Sequence, residues 1–245
     1  MKSHIIWLIF FLSLTVFAQN PEPDWILDKI DENMSASNRI SEAEMIIHGR
    51  RGDRTVRSKS WIRGTEMAFT EYLAPPRERG TKMLKEADNL WTYFPGTDRT
   101  VLIAGHLLRQ SVMGSDLSYE DLMEDPKLKN LYDAQIAGED TVIGRPCWIL
   151  ELSAKNPNVA YHARKIWVDQ ERFLTLKENR YAKSGRLIKT TKVESIRKIE
   201  DRWVAEKIVF KDELKSGGGT EFVLLAVQFD AQIPDYVFSK ANLRK

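Results

Sequence analysis

From Ile40 to Phe229 the chain reads as short stretches in which apolar and polar residues alternate, broken at regular intervals by Gly, Pro, Asn and Asp. A period of two with turn residues between the runs predicts antiparallel strands joined by hairpins. The runs are 40–49, 55–64, 66–73, 80–95 and 100–105, then 134–154, 160–170, 173–182, 187–199, 201–214 and 220–229. Gly52-Asp53, Gly64-Thr65, Pro75-Pro76, Asp88-Asn89 and Gly96-Thr97-Asp98 mark turns between the early ones. The expectation is a mainly β protein with a few helices. Its sheet is expected to be strongly curved and antiparallel, an incomplete barrel of about eleven strands.

Two segments depart from this pattern. Over 24–37, Ile26, Leu27, Ile30 and Met34 recur at near-helical spacing behind Asp24, which predicts an amphipathic helix with Asp24 as its N-cap. Over 109–126, RQSVMGSDLSYEDLMEDP concentrates Asp116, Glu120, Asp121, Glu124 and Asp125. A calcium loop starting at Asp116 would need Gly at its sixth position and Glu at its twelfth, where the chain has Asp121 and Lys127. A helix start fits better. Ser118 serves as N-cap, Glu120 and Asp121 sit in the first turn beside the positive end of the dipole, and Leu122 and Met123 face the body. Pro126 then limits the helix, or begins a second short one through Leu128 and Leu131.

Several runs are apolar at consecutive rather than alternate positions, notably Phe222 to Val227 and Leu90-Trp91 with Tyr93-Phe94. A sheet wetted on one side alternates, so these strands are covered on both faces. Either the 24–37 helix packs on the sheet, or the sheet wraps an apolar cavity with helices in its mouth. Periodicity does not choose between them.

The first 18 residues, MKSHIIWLIFFLSLTVFA, combine Lys2, an apolar run from Ile5 to Phe17, and small residues at Val16 and Ala18. This is the layout of a secretory leader cleaved before Gln19, with residues 19–245 expected as one domain. Removing the leader takes Lys2 and no acid, so the formal net charge falls from +2 to +1. A chain that neutral has no bulk attraction to nucleic acid or to an anionic bilayer. The sole cysteine, Cys147, lies far from the processing point. It therefore offers no site for a lipid anchor and no internal disulfide, and a soluble periplasmic protein is expected.

Motifs that announce an enzyme are missing: there is no GxSxG, HExxH, GxxxxGK[ST] or paired CxxC. His48, His106 and His162 lie in strand-like or turn-flanking contexts, and Cys147 in Pro146-Cys147-Trp148 reads as a small buried apolar side chain. Arg145 nearby would have to depress its pKa for it to react. Gly217-Gly218-Gly219 lies between two strands and reads as a hairpin turn, not a phosphate loop. No catalytic residue, metal or cofactor is expected.

Five segments carry a resemblance: GTKMLKEADNLWTYFPGTDR (80–99), RQSVMGSDLSYEDL (109–122), RPCWILEL (145–152), KIWVD (165–169) and IPDYVFS (233–239). They resemble the outer-membrane lipoprotein-sorting, LolA-like family of periplasmic carriers, in the form of a divergent branch. The resemblance implies an unclosed, curved antiparallel sheet whose hollow binds acyl chains, with helices as a lid. It implies as cargo an acylated lipoprotein or a lipid, with an inner-membrane transporter as donor and an outer-membrane acceptor, and a monomer is expected. Met67, Phe69, Trp91, Tyr93, Val223 and Leu225 are the expected cavity lining, and Ile26, Ile30, Leu122 and Met123 the expected lid. Ordinary core packing accounts for each of them equally well. Arg77, Arg79 and Lys82 form either a basic rim or a solvated hairpin tip. An accessory subunit of an envelope exporter and a hydrolase using the 116–125 acids are the alternatives, because fold does not settle function.

Overall fold

A computed structural model describes residues 21–34, 38–50, 52–124 and 127–245. The expected leader, the processing point at Gln19, residues 35–37 of the first helix, Asp125 and Pro126 lie outside the described residues.

Helix α1 runs Pro23–Met34. It starts one residue earlier than expected. Proline at the first helical position loses only an amide that has no partner there, and the Glu22 carbonyl accepts from the amides of Trp25 and Ile26. Asp24 therefore sits in the first turn rather than at the cap. Ile26, Leu27 and Ile30 form the buried stripe.

Thirteen strands follow, in one antiparallel sheet. They are β1 (Asn38–Gly49), β2 (Gly52–Arg63), β3 (Met67–Ala74), β4 (Lys82–Glu86), β5 (Asn89–Phe94), β6 (Arg99–Leu102), β7 (Tyr132–Val142), β8 (Arg145–Ala154), β9 (Ala163–Asp169), β10 (Thr175–Tyr181), β11 (Leu187–Ile199), β12 (Arg202–Asp212) and β13 (Gly219–Phe229). The excess over eleven arises because two of the expected runs are each a hairpin. Run 80–95 turns at Ala87, which has φ 49°, and run 134–154 turns at Ile143-Gly144, with φ 47° and 74°. Two consecutive positive φ values make the tight turn that suits strand twist. A β-branched residue seldom occupies that region, so nothing in Val142-Ile143-Gly144 signals it except the glycine.

The spatial order is β6-β5-β4-β3-β2-β1-β13-β12-β11-β10-β9-β8-β7. Two meanders are thus joined through β1 and β13, and β6 and β7 are the two edges. The chain must pass from one edge to the other between Leu102 and Tyr132. This connection holds 3₁₀ turns at Gly105–Arg109 and Val112–Gly114, helix α2 (Tyr119–Met123) and helix α3 (Leu128–Leu131). Both short helices fall where the sequence predicts them.

Residues of α2 show how far the sheet is curled. Tyr119 packs in one cluster with Tyr72 of β3 and Leu90 of β5, while Asp121 bonds Arg180 of β10. In a flat sheet β3 and β10 would be six strand spacings apart, roughly 29 Å. A helix of five residues is only about 7.5 Å long. The face that carries α2 is therefore concave. Register shifts at Arg57/Ser58, Glu42/Ala43, Val193/Ser195 and Ile136/Gly138 are where the ladder bends.

Strand alternation assigns the core to two faces. On the inner face α1 covers β7–β9, with Tyr132, Trp148, Leu150, Leu152, Ile166 and Val168 buried beneath it. Also on that face, the 103–124 connection covers Met45, Val56, Tyr72, Met83 and Leu90. On the outer face the C-terminal segment, with 3₁₀ turns at Asp235–Phe238 and Lys240–Arg244, packs Ala231, Ile233, Val237, Phe238 and Leu243 onto Phe69 and Leu84. The doubly apolar β5 is explained, since the connection covers its inner face and the C-terminal segment its outer one; β13 is not covered on both faces, with Leu225 and Ala226 exposed. No helix among the described residues is long and apolar enough to cross a membrane.

Candidate functional site

Between the ground covered by α1 and that covered by the 103–124 connection the inner face carries apolar residues that are only partly buried, with Phe222 at the margin of the connection's cluster and Ile208 beside a buried cluster of Val142, Cys147, Trp167, Leu176 and Val193. Cross-strand register places Phe222 opposite Met45 and Ile208, and Leu224 opposite Ala43. On the neighbouring strands Ile62 lies opposite Ala68, and Val193 opposite Ile208. Val193 and Ala43 are buried, but Phe222, Leu224, Ile208, Ile62 and Ala68 are only half-buried. Apolar side chains left half-buried in the concavity of a curled sheet have the form of a lipid-binding surface, although here Ser41, Ser58, Ser60 and Thr70 of the same parity separate Ile62 and Ala68 from Ala43 and Leu224.

The 103–124 connection borders this surface and is tied to both limbs of the sheet. Ser118 is the N-cap of α2, and a capping box is complete: the Asp121 amide donates to Ser118 Oγ, and the Ser118 amide donates to the Asp121 carboxylate. Asp116 accepts from the Thr220 hydroxyl at 2.7 Å and from the Asp212 amide at 2.9 Å. Lys215 donates to Ser111 Oγ and to the Ser115 carbonyl. Arg54 of β2 donates to the Met113 carbonyl and pairs with Glu78.

Beneath α2 lies a buried ionic cluster. The Asp121 side chain, 3% exposed, accepts from Arg180 at 2.9 Å, from the Tyr161 hydroxyl at 2.7 Å and from Lys189. Arg164, 2% exposed, pairs with Glu178 at 2.7 Å and with Glu124, and Arg180 pairs with Glu178 at 2.9 Å. The Arg164 guanidinium lies over the rings of Tyr132 and Tyr161 at 4.9 and 5.4 Å. Burial alone would push the Asp121 carboxyl up, but Lys189 and Arg180 outweigh it and hold it at about 2. Burial likewise opposes ionisation of Glu178, and the Arg180 and Arg164 charges reverse that and lower its pKa. Asp116, Asp121 and Glu124 are thus committed to backbone amides, to a cap and to ion pairs. Among the described residues no group of three or more His, Cys, Asp or Glu is arranged to hold a metal.

The cavity and lid residues named from the sequence fall on different faces. Met67, Phe69, Trp91 and Tyr93 come together in the outer-face cluster under the C-terminal segment, with Phe69 fully packed against it. Val223 is half-buried opposite Glu44 and Lys207, and Leu225, 37% exposed, sits at the β1–β13 irregularity. Ile26 and Ile30 are on the inner face, so the two sets do not line one cavity. Of the α2 pair, Met123 packs inward as expected. Leu122 does not: it is 38% exposed, because the five-residue helix turns only one side to the sheet, and its carbonyl accepts from Lys85 at 3.3 Å. Arg77 and Arg79 are exposed at the β3–β4 turn, where Arg79 donates to the Leu73 carbonyl. Lys82 instead helps line an outer-face pocket of about 230 Å³ with Trp61, Phe69, Glu71 and Tyr236. A second pocket of the same size lies over β8 and β9. Both are smaller than the roughly 300–1,000 Å³ usual for a ligand site.

Cys147 is buried, and burial pushes its thiol up to about 11. Arg145 is engaged with Asp169 and Glu171 instead. The Gly217–Gly219 run is a hairpin turn that Lys211 bonds at the Lys215 and Gly217 carbonyls.

Sequence reasoning missed Arg164, Glu178, Arg180 and Lys189. One signal was available. Ile166 and Val168 share a parity with Arg164, so an apolar inward face there brings a guanidinium inside with it.

A family model described as "-like: Uncharacterized protein" matches residues 64–245. No curated protein matches the chain. Among solved structures, a DUF1329 family protein from Desulfovibrio piger is 25% identical at a TM-score of 0.81, covering 89% of this chain and 96% of its own. A putative outer membrane lipoprotein-sorting protein domain from Vibrio parahaemolyticus is 23% identical at 0.76, covering 89% and 98%. A LolA superfamily protein from Nitrosomonas europaea is 22% identical at 0.74, covering 91% and 100%. The chain belongs to the family that the 64–245 model describes, a divergent family with the LolA-like fold.

Proposed function

We propose that this protein is a periplasmic carrier that takes up the acyl part of a lipoprotein or lipid on the concave face of its sheet. It delivers that cargo between the inner and outer membranes without chemistry. The observation that carries this reading is the set of half-buried apolar side chains, Phe222, Leu224, Ile208, Ile62 and Ala68, on the concave face of a curled sheet on which α1 and the 103–124 connection also pack. Burying an acyl chain there supplies about 0.8 kcal/mol per methylene, and in this reading α2 is the wall that moves. The structural neighbours described as lipoprotein-sorting and LolA superfamily proteins support the same reading. Donor and acceptor are an inner-membrane transporter and an outer-membrane receptor, and the carrier works as a monomer released from its leader at Gln19.

One observation favours the accessory-subunit alternative: α2 and its ionic partners already occupy part of the hollow, and the two open pockets are small. Native mass spectrometry of protein expressed in the periplasm, followed by organic extraction, separates the two. The carrier reading expects co-purifying acyl lipid of defined mass. A lipid-free mass in every preparation, with no uptake of a fluorescent fatty-acyl probe, would replace it with the accessory reading.

A further inference from the structure

The wall of the hollow under α2 carries more positive than negative charge. Arg164, Arg180 and Lys189 project from β9, β10 and β11; the strands supply Glu178, which pairs with both arginines, and Asp212, which lies opposite Lys189 but pairs with Lys215. The balance comes from α2 and its C-terminal neighbour: Asp121 for Arg180 and Lys189, Glu124 for Arg164. Without those two carboxylates the three cations would be in contact with Glu178 alone, an excess of two positive charges within the paired cluster.

Such a cluster is an expensive way to hold a helix. Each buried ion costs several kcal/mol of desolvation, and an apolar set of equal volume holds as well or better. Charges kept in a cleft despite that cost point to a site. Two further facts indicate what the site takes. The buried Nε donors of both Arg164 and Arg180 have no hydrogen-bond partner, although their other nitrogens are paired. The strands that carry Lys189 also lead directly to the half-buried apolar side chains. Lys189 lies opposite Asp212, the next inward pair is Thr191 with Phe210, and the next is Val193 with Ile208, beside Phe222. Each step is about 7 Å. A polar end and an apolar run are therefore in line, in the order that an amphiphile requires.

We propose that Arg164, Arg180 and Lys189 form the seat for the anionic head, phosphate or carboxylate, of an acyl amphiphile, and that Asp121 and Glu124 hold its place while α2 is docked. Guanidinium groups suit this chemistry, since their planar fork meets two oxygens of a phosphate or carboxylate at once. Ligand entry exchanges the carboxylates of α2 for the anionic oxygens of the head, which together with Glu178 keep an anionic partner within reach of each cation. This inference rests on the carrier reading and adds the charge of the cargo to it.

The test compares the purified protein's affinity for palmitoyl-lysophosphatidylglycerol, for monopalmitoylglycerol and for inorganic phosphate, by titration calorimetry below micelle formation. The anionic lysolipid is expected to bind about tenfold tighter than the neutral one, as two or more charge-assisted contacts predict. Glu124→Gln, which removes one place-holding charge at near-constant shape, should tighten the lysophosphatidylglycerol about tenfold and leave the monoacylglycerol unmoved. Arg164→Gln should erase the preference. Equal affinity of the two lipids in wild type, or a Glu124→Gln effect equal on both, overturns the seat and leaves the carrier reading standing. Phosphate binding as tightly as the lysolipid overturns the amphiphile and makes the site one for a free anion. Binding of none of the three removes the carrier reading and the seat with it.

Discussion

Asp121→Asn is the sharpest probe of the ionic cluster, because the loss can be worked from its contacts. One carboxylate oxygen accepts from Arg180 and from the Tyr161 hydroxyl; the other accepts from the Ser118 amide, the Ser118 hydroxyl and Lys189. Asparagine keeps one acceptor and puts an NH2 where the other was, facing donors. Arg180 still has Glu178, whereas Lys189 keeps only the Ser118 hydroxyl at 3.1 Å. Breaking one partner out of a buried pair costs about 3–5 kcal/mol. With Arg180 still compensated, the lower end applies, about 3 kcal/mol.

The same residue gives a second, independent figure. Its folded pKa is about 2, against roughly 3.9 in an unfolded chain. A carboxyl depressed on folding contributes stability that is fully present above the unfolded value and lost as pH falls through the folded one. At 1.36 kcal/mol per unit this is on the order of 2 kcal/mol. Urea denaturation followed by tryptophan fluorescence reads both. At pH 7 the midpoint should fall by roughly 1 M, taking an m-value near the upper end of about 1–3 kcal/mol/M for a chain of this size. Between about pH 5 and pH 2 wild type should weaken towards the variant, so that the difference shrinks by most of its value. A loss below about 1 kcal/mol at pH 7, or a difference that stays constant down to pH 2, would refute the reasoning.

Other consequences can be checked alongside. Ser118→Ala removes the N-cap of α2 and an acceptor of Lys189, and should cost about 0.5–2 kcal/mol in the same denaturation assay. Leu224→Glu puts a charge among the half-buried inner-face side chains and should abolish uptake of a fluorescent fatty-acyl probe while a cooperative melt persists; unchanged uptake would move the binding surface elsewhere. Phe69→Ala, on the outer face under the C-terminal segment, should cost about 3–5 kcal/mol of stability yet leave probe affinity as it was. His48, held between Asp53 at 2.9 Å and Glu221 at 3.2 Å, has a raised pKa chiefly through the Asp53 hydrogen bond. Its stabilisation is complete below about pH 6.5 and is lost as pH rises through the higher folded value. Melting temperatures taken from pH 6 to 9 should show a decline that His48→Gln lacks.

How much of this was legible in the chain depends on the range of the signal. Strands and hairpins are local, and α2 with its Ser118 cap was readable because Ser118 and Asp121 are three residues apart. The hairpin at Ile143-Gly144 was not, since an apolar residue occupies the turn and the run of apolar character continues through it. Which face is concave was unreadable for a related reason. In Phe222-Val223-Leu224-Leu225 both parities are apolar, so period two assigns no direction, and four of the six residues named for the cavity, Met67, Phe69, Trp91 and Tyr93, lie under the C-terminal segment. Only contacts made by residues 231–243, far along the chain, decide the matter.

The ionic cluster marks the limit of that kind of reading. Its pairs join Arg164 to Glu124, Arg180 to Asp121 and Lys189 to Asp121 across 40, 59 and 68 residues. No window of sequence contains one pair, and the near-neutral total charge hides the separation of a positive wall from a negative helix. What brings them together is topological. A two-meander sheet joined at β1 and β13 leaves its edges as β6 and β7, so the connection between those edges has to cross one face of the sheet; it crosses the concave one, and its acids meet the basic residues there. The curvature of the sheet and the burial of Asp121 are thus one fact. Variants that flatten the ladder at the Val193/Ser195 irregularity should therefore loosen α2 before they unfold the strands, visible as early loss of amide protection at Tyr119 and Leu122 in hydrogen exchange.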